Sequence, residues 1–241
     1  MTTFTKDQIT KWNQELAGKS VGEIVKSVFD RVPTSDHNKI VMTSAFNQSD
    51  MYLFHEARKI KKDIPVMWIE TGYHFDETKK YVQDMKNKFD MNLVILYPEL
   101  SRAEFEKKNG GPIHDDRPDE CCHANKVVPL QNALKDKNVW FTALRRDQSE
   151  SRRNIDIIEL YRDDLIKVNA LAAVTAKEVY YYLKDNGIPE HPLIEQGYIS
   201  VGCSPESCTS KVFGDVSGER AGRWKGKNKI ECGLHTFMPK K

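Results

Sequence analysis

Between residues 6 and 31 the apolar positions recur at helical spacing. Ile9, Trp12 and Leu16 form one set and Val21, Ile24, Val25, Val28 and Phe29 a second, with a break near Gly18. The pattern then changes to short apolar runs separated by amphipathic stretches. Lys39 to Thr43, Val66 to Ile69, Leu93 to Leu96 and Val139 to Leu144 read as strands. Asp50 to Lys61, Asp76 to Phe89 and Asp119 to Leu134 read as helices between them. Continuous apolar strands alternating with helices predict an α/β fold: a doubly wound, mostly parallel sheet covered on both faces. In such sheets ligands sit beyond the carboxyl ends of the strands. Attention therefore falls on Ser44 to Ser49, Glu70 to Tyr73 and Arg145 to Arg153.

Further on, Ile155 to Ile158 and Leu165 to Val168 read as two more short strands. Thr175 to Asp185 reads as a helix, with Thr175 and Glu178 in capping-box spacing and Gly187 as a stop. From Glu190 onward Gly, Pro, Ser and Lys dominate, predicting an ordered loop around the cysteines and then a mobile tail. The expected division is one α/β domain over residues 1–213 and a tail over 214–241.

Composition narrows the function classes. The chain has 241 residues, enough for one substantial core, and a net charge of only +2 with 30% charged residues. No global basic bias advertises a nucleic-acid partner. No apolar run approaches the ~20 residues that span a bilayer, and the first residues are polar. A cytoplasmic protein with neither a membrane nor a nucleic-acid partner, forming a homo-oligomer, is the expectation.

The five cysteines are Cys121, Cys122, Cys203, Cys208 and Cys232. An odd number in a chain read as cytoplasmic points to metal ligation or thiol chemistry rather than a disulfide framework. Cys121–Cys122 and Cys203–Cys208 form two pairs whose soft thiolates suit zinc or an iron–sulfur cluster. A buried cysteine can also pack simply as a small hydrophobe. Cys232 stands apart among Arg220, Arg223, Lys225, Lys227, Lys229 and His235. Positive neighbours favour the thiolate, the nucleophilic form, and can hold a phosphate or sulfate, although a basic tail is often only a solvated face.

The strand ends add weaker signals. Ser44 to Ser49, including Phe46, opens a helix with hydroxyl and amide groups, and free N–H groups at a helix start favour an anion. Gly72, after Thr71, permits close approach of a nucleotide. Arg145, Arg146, Arg152 and Arg153 supply guanidinium forks suited to phosphate and sulfate.

Several segments resemble the sulfonucleotide reductases, which reduce adenylyl sulfate or 3′-phosphoadenylyl sulfate. They are Glu231 to His235 (ECGLH), Glu70-Thr71-Gly72 with Phe75 and Glu77-Thr78, Leu144 to Ser149, and Arg220 to Trp224, in the family's order. Cys121–Cys122 with Lys126 is similar to the family's iron–sulfur branch. The resemblance implies an adenine-nucleotide α-hydrolase-like fold, with Cys232 attacking the sulfonucleotide's sulfur to give an S-sulfocysteine. Thioredoxin or glutaredoxin, as a separate protein, would then free sulfite. It implies a four-iron, four-sulfur cluster on Cys121, Cys122, Cys203 and Cys208. Ser44, Phe46, Thr71, Gly72, Lys126, Arg145, Arg152, Arg220, Arg223 and His235 are the implied substrate contacts. The chain departs from the pattern in four places: four residues separate Cys203 from Cys208 where two are usual, Glu70 replaces an aspartate, Ala143 replaces a glycine, and Asn47-Gln48-Ser49-Asp50 in the first loop does not match it.

The cysteine quartet tilts the expected substrate to adenylyl sulfate, with its 3′-phosphorylated relative as the alternative. An adenylyltransferase on the same fold would need a Ser-Gly-Gly-x-Asp-Ser loop, which residues 44–49 do not supply. A redox-sensing, non-catalytic nucleotide-binding module would leave Cys232 without a role.

Overall fold

The computed structural model describes residues 2–204, 207–212, 219–220, 222–224 and 229–235. Six strands form one sheet in the order β3-β2-β1-β4-β6-β5. They are β1 (Ile40–Thr43), β2 (Val66–Ile69), β3 (Leu93–Leu96), β4 (Val139–Thr142), β5 (Ile158–Arg162) and β6 (Leu165–Asn169). All pairings are parallel except β5 with β6. Strand order reverses about β1, so β1 and β4 flank the switch point where such sheets open a crevice.

Alternation along β1 shows the two covered faces. Ile40 and Met42 join a large core with Ile9 of α1 (Lys6–Leu16), Val25 and Val28 of α2 (Val21–Arg31), Phe54 of α3 (Gln48–Ile60) and Tyr81 of α4 (Asp76–Phe89). Val41 faces the other way, onto Met67, Leu130, Leu134 and Trp140. Caps follow the sequence: Thr5–Gln8, Ser20–Glu23, Asn47–Asp50 and Thr175–Glu178 all close capping boxes.

Three local expectations are corrected. The helix α5 (Arg102–Asn109) was not anticipated, because Phe105 is its one buried residue and no apolar stripe marks it. Its Ser101–Glu104 capping box and Gly110 stop were the available signals. The fifth strand begins at Ile158 rather than Ile155, whose N–H instead turns back to Arg152. The cysteine-bearing helix is also not one continuous α-helix. It runs as α6 (Pro118–Cys122), a π-turn over His123–Val127, and α7 (Val128–Ala133). Pro129 has no N–H and its ring crowds the carbonyl four residues back, so the Val128 N–H reaches five residues back to His123. The eighth helix, α8 (Ala176–Asp185), packs on α3. No helix among the described residues is long and apolar enough to cross a membrane.

Candidate active site

A pocket opens at the carboxyl ends of β1, β2 and β4. Thr43, Ser44, Met67, Trp68, Ile69, Thr71 and Ala143 form its base, and residues 200–203 form one side. Lys126, Arg220, Arg223, Cys232, Leu234 and His235 close it. Of the residues singled out in the sequence, Ser44, Thr71, Lys126, Cys203, Arg220, Arg223, Cys232 and His235 therefore meet around one hollow. Five buried nitrogens of residues lining it have no hydrogen-bond partner among the described residues: Trp68 Nε1, His74 Nδ1, Arg220 Nε, Arg223 Nε and His235 Nδ1. Buried donors rarely go unpaired, and their concentration here marks the place of a polar ligand.

In the loop after β1, expected to favour an anion through its hydroxyls and amides, three N–H groups are paired within the loop and the helix it opens: Ala45 and Asn47 donate to Asp50 Oδ2 at 2.8 and 3.3 Å, and Phe46 donates to Ser44 Oγ at 3.0 Å. Phe46 adopts φ +58°, a strained value for a bulky residue, and points away from the pocket onto Trp68 and Tyr81. It anchors the loop rather than lining the hollow. Burial raises the Asp50 pKa to about 7, against the hydrogen bonds from Ala45 and Asn47. Gly72 also serves packing: at φ +79°, a side chain there would meet Arg102 Cβ at 3.0 Å.

The strand-end arginines behave differently from expectation. Arg145 is 1% exposed; it donates to Ser49, to Asp147 at 2.9 Å and to Glu219 at 2.7 Å. Arg152 grips Glu231 through two bonds of 2.7 and 2.8 Å. Neither lines the pocket. The cationic edge of the pocket belongs instead to Lys126, Arg220 and Arg223. Glu231, the residue before Cys232, also takes Arg220 at 3.3 Å, so the Arg152–Glu231 pair seats Cys232 at the mouth. Burial works to raise the Glu231 pKa, but Arg152 and Arg220 outweigh it and hold the carboxylate ionised below its ordinary range.

Trp224 organises the cations, a role that its place in a basic segment did not signal. It is 2% exposed, at φ +47°. Arg223, Arg220 and Lys229 lie 4.8, 5.6 and 5.6 Å from its ring centre. Gly202 makes room for this, since a Cβ there would sit 2.0 Å from the Arg223 guanidinium. His235 stacks on Trp140 at 5.7 Å, and burial with Lys167, Arg152 and Arg220 nearby keeps it neutral. Lys167, buried in β6 against Glu159, donates to the His235 carbonyl at 3.4 Å. It was missed because a single lysine in a strand gives no sequence signal. The mobile-tail expectation falls mostly on residues outside those described; residues 229–235 lie against the pocket.

Behind the pocket, Cys121, Cys122, Cys203 and Cys208, all buried, line one small cavity with Thr71, Asn125 and Lys126. Arg223 Nη2 donates to Cys208 Sγ at 3.3 Å, Asn125 Nδ2 to Cys121 Sγ at 3.7 Å, and Thr71 Oγ1 lies 3.6 Å from Cys203 Sγ. Burial works to lower the Lys126 pKa, but the negative charge that Cys203, Cys208, Cys122 and Cys232 can carry beside it outweighs burial and raises it well above the usual lysine value. Among the described residues no three His, Cys, Asp or Glu side chains gather closely enough for a single ion. Four soft donors around one cavity, with hydrogen bonds to the sulfurs and cations beside them, fit an anionic sulfur-ligated centre larger than one ion.

Fold and site together define a doubly wound α/β protein with a half-buried free cysteine, Cys232, at the mouth of its strand-end pocket. The chain belongs to the phosphoadenosine phosphosulfate reductase domain family, which residues 39–211 match. It is 35% identical to adenosine 5′-phosphosulfate reductase of Oceanobacillus iheyensis, over 98% of this chain and 96% of that one. It is 36% identical to phosphoadenosine 5′-phosphosulfate reductase of Gloeobacter violaceus, over 82% and 83%. The fold matches crystalline phosphoadenylyl-sulfate reductase of Candida auris with TM-score 0.74, at 24% identity over 88% of this chain and 99% of that one.

Proposed function

We propose that the chain is a sulfonucleotide reductase of sulfate assimilation that reduces adenylyl sulfate to sulfite and AMP through Cys232. The observation that carries this reading is the meeting of Cys232, Lys126, Arg220 and Arg223 on one pocket with five buried nitrogens that have no partner among the described residues. Relatives named as reductases of adenylyl sulfate and of its 3′-phosphorylated form support the reaction class.

The Cys232 thiolate attacks the sulfur of the sulfate group. An S–S bond forms, the S–O bond to phosphate breaks, and AMP leaves with the electron pair. Arg220, Arg223 and Lys126 offset the charge that builds on the leaving phosphate in a site largely closed to water. Ser44 and Thr71 hydroxyls and the apolar walls Trp68, Ile69 and Leu234 receive the nucleoside. A dithiol protein, thioredoxin or glutaredoxin, then attacks Cys232 Sγ. Sulfite departs, a mixed disulfide forms, and the partner's second thiol restores Cys232. Arg220, Arg223, Cys232 and His235, all late in the sequence, close over the bound nucleotide.

Cys121, Cys122, Cys203 and Cys208 are the ligands for a four-iron, four-sulfur cluster, whose charge, when bound, would tune the field that Lys126 carries into the pocket. Adenylyl sulfate is favoured over its 3′-phosphorylated form by the pocket's charges. Its arginines and lysine are those gathered around Cys232, while the loop after β1 offers the buried Asp50 carboxyl and has its Ala45, Phe46 and Asn47 N–H groups already paired. The test is sulfite release from both nucleotides with thioredoxin. Turnover of adenylyl sulfate, abolished by Cys232→Ser, is expected; turnover surviving that substitution would refute the assignment.

A further inference from the structure

Arg145 follows β4 and is almost wholly buried, yet it does not line the pocket. A buried guanidinium is tolerated only where its donors are paired. Its acceptors come from three separate parts of the chain. Nη1 donates to Ser49 Oγ in the first turn of α3, Nε to Asp147 Oδ1 at 2.9 Å, and Nη2 to Glu219 Oε2 at 2.7 Å. Two of these are fixed independently. Ser49 belongs to α3, and Asp147 also accepts the Ala176 N–H, at the start of α8, at 2.7 Å. Glu219 is different: it lies in a turn outside every helix and strand, and among the described residues Arg145 is the one partner of its carboxylate.

The residue after Glu219 is Arg220, which does line the pocket. We propose that Arg145 is a positioning residue for Arg220: by holding Glu219 against Ser49 and Asp147, it fixes the next guanidinium at the phosphate end of the nucleotide without touching the nucleotide itself. The connection is short, because holding one side chain of a turn also fixes the backbone that carries the next. Arg220 is braced a second time at its guanidinium, which donates to the Ile230 carbonyl at 3.1 Å and to Glu231 at 3.3 Å. Its Nε is buried with no partner among the described residues, a donor left for a ligand. An arginine held in this way loses little side-chain freedom when it takes a phosphate, whereas one on a free turn would lose much more. Asn47 and Asp50, on either side of Ser49, line the same pocket, so Arg145 ties the loop after β1 to the segment that faces it across the nucleotide. The proposal rests on the nucleotide-pocket reading above.

The experiment is titration calorimetry of the full chain with AMP and, separately, with adenosine. Glu219→Gln keeps the size of the residue and removes its charge, at a side chain that is 27% exposed. It should weaken AMP binding at least ~10-fold, the scale of one charge-assisted hydrogen bond, and leave adenosine binding unchanged, because only the phosphate meets Arg220. Arg145→Lys keeps the charge but loses the fork, and should reproduce that pattern. In an Arg220→Ala background Glu219→Gln should cost AMP nothing further, since both substitutions act through one guanidinium. Equal losses for AMP and adenosine would show that the Arg145–Glu219 contact only shapes the pocket, and would overturn the proposal. So would wild-type AMP affinity in Glu219→Gln, or an AMP loss that persists at full size in the Arg220→Ala background. Each of these results leaves the reaction standing, because that is read separately from the adduct on Cys232. A wild-type chain that binds no AMP would overturn the pocket reading and the proposal together.

Discussion

Replacing Glu231 by Gln should disable the enzyme without unfolding it. The carboxylate takes two bonds from Arg152 at 2.7 and 2.8 Å, with Arg220 at 3.3 Å, and its side chain is only 12% exposed. Charge-assisted bonds contribute about 1.5–3 kcal/mol each. An amide keeps one acceptor, and the pair's edge is wet, so the seating of the tail should weaken by about 2–3 kcal/mol. That corresponds to a ~30–150-fold loss in the rate of adduct formation where seating limits it. The assay is single-turnover loading of Cys232 by adenylyl sulfate, compared with the thermal midpoint, which should barely move because the core lies elsewhere. Arg152→Gln should lose a similar amount, and the double variant little more, since the two residues act as one contact. The folded-state pKa of Glu231 is lowered, so the contact is fully present above the ordinary value of 4.5 and lost only as pH falls below it. A wild-type loading rate in Glu231→Gln at neutral pH would refute this reasoning.

Other consequences are equally direct. Arg223→Ala should weaken AMP binding by about 1.5–3 kcal/mol in titration calorimetry, and Gly202→Ala, which drives a Cβ into the Arg223 guanidinium, should weaken it in the same direction. Asp50 has a raised folded-state pKa of about 7 against an ordinary 3.8, so its contribution to stability is full below the latter and declines as pH rises through the former. The Asp50→Asn chain should lack that decline when thermal midpoints are measured from pH 4 to 8. Anaerobically purified protein should hold about four irons with acid-labile sulfide, and Cys203→Ser should lose both together with the visible absorbance. Retention of iron in that variant would contradict the ligand set.

The sheet was legible because buried parallel strands leave unbroken apolar runs, as in Val66–Ile69 and Leu93–Leu96. The Thr175–Glu178 box was legible because its chemistry is local. Edge strand β5, Ile158–Arg162, was misplaced because one side of it is partly exposed and charged residues interrupt it. The site was only half readable. Cys232 and its cations announced themselves by proximity in sequence. Arg145 and Arg152 advertised anion binding, yet their partners Glu219 and Glu231 lie 74 and 79 residues away, and nothing local reveals such pairing. Trp224 and Lys167 likewise matter through contacts that only the fold creates.

The most direct measurement is mass spectrometry of the chain after incubation with adenylyl sulfate in the absence of any thiol. The account predicts a gain of one SO3 group on the peptide bearing Cys232, one AMP released per adduct, and complete reversal by thioredoxin with release of sulfite. A chain that turns over adenylyl sulfate with no modification at Cys232, or that carries the group on another cysteine, would contradict it.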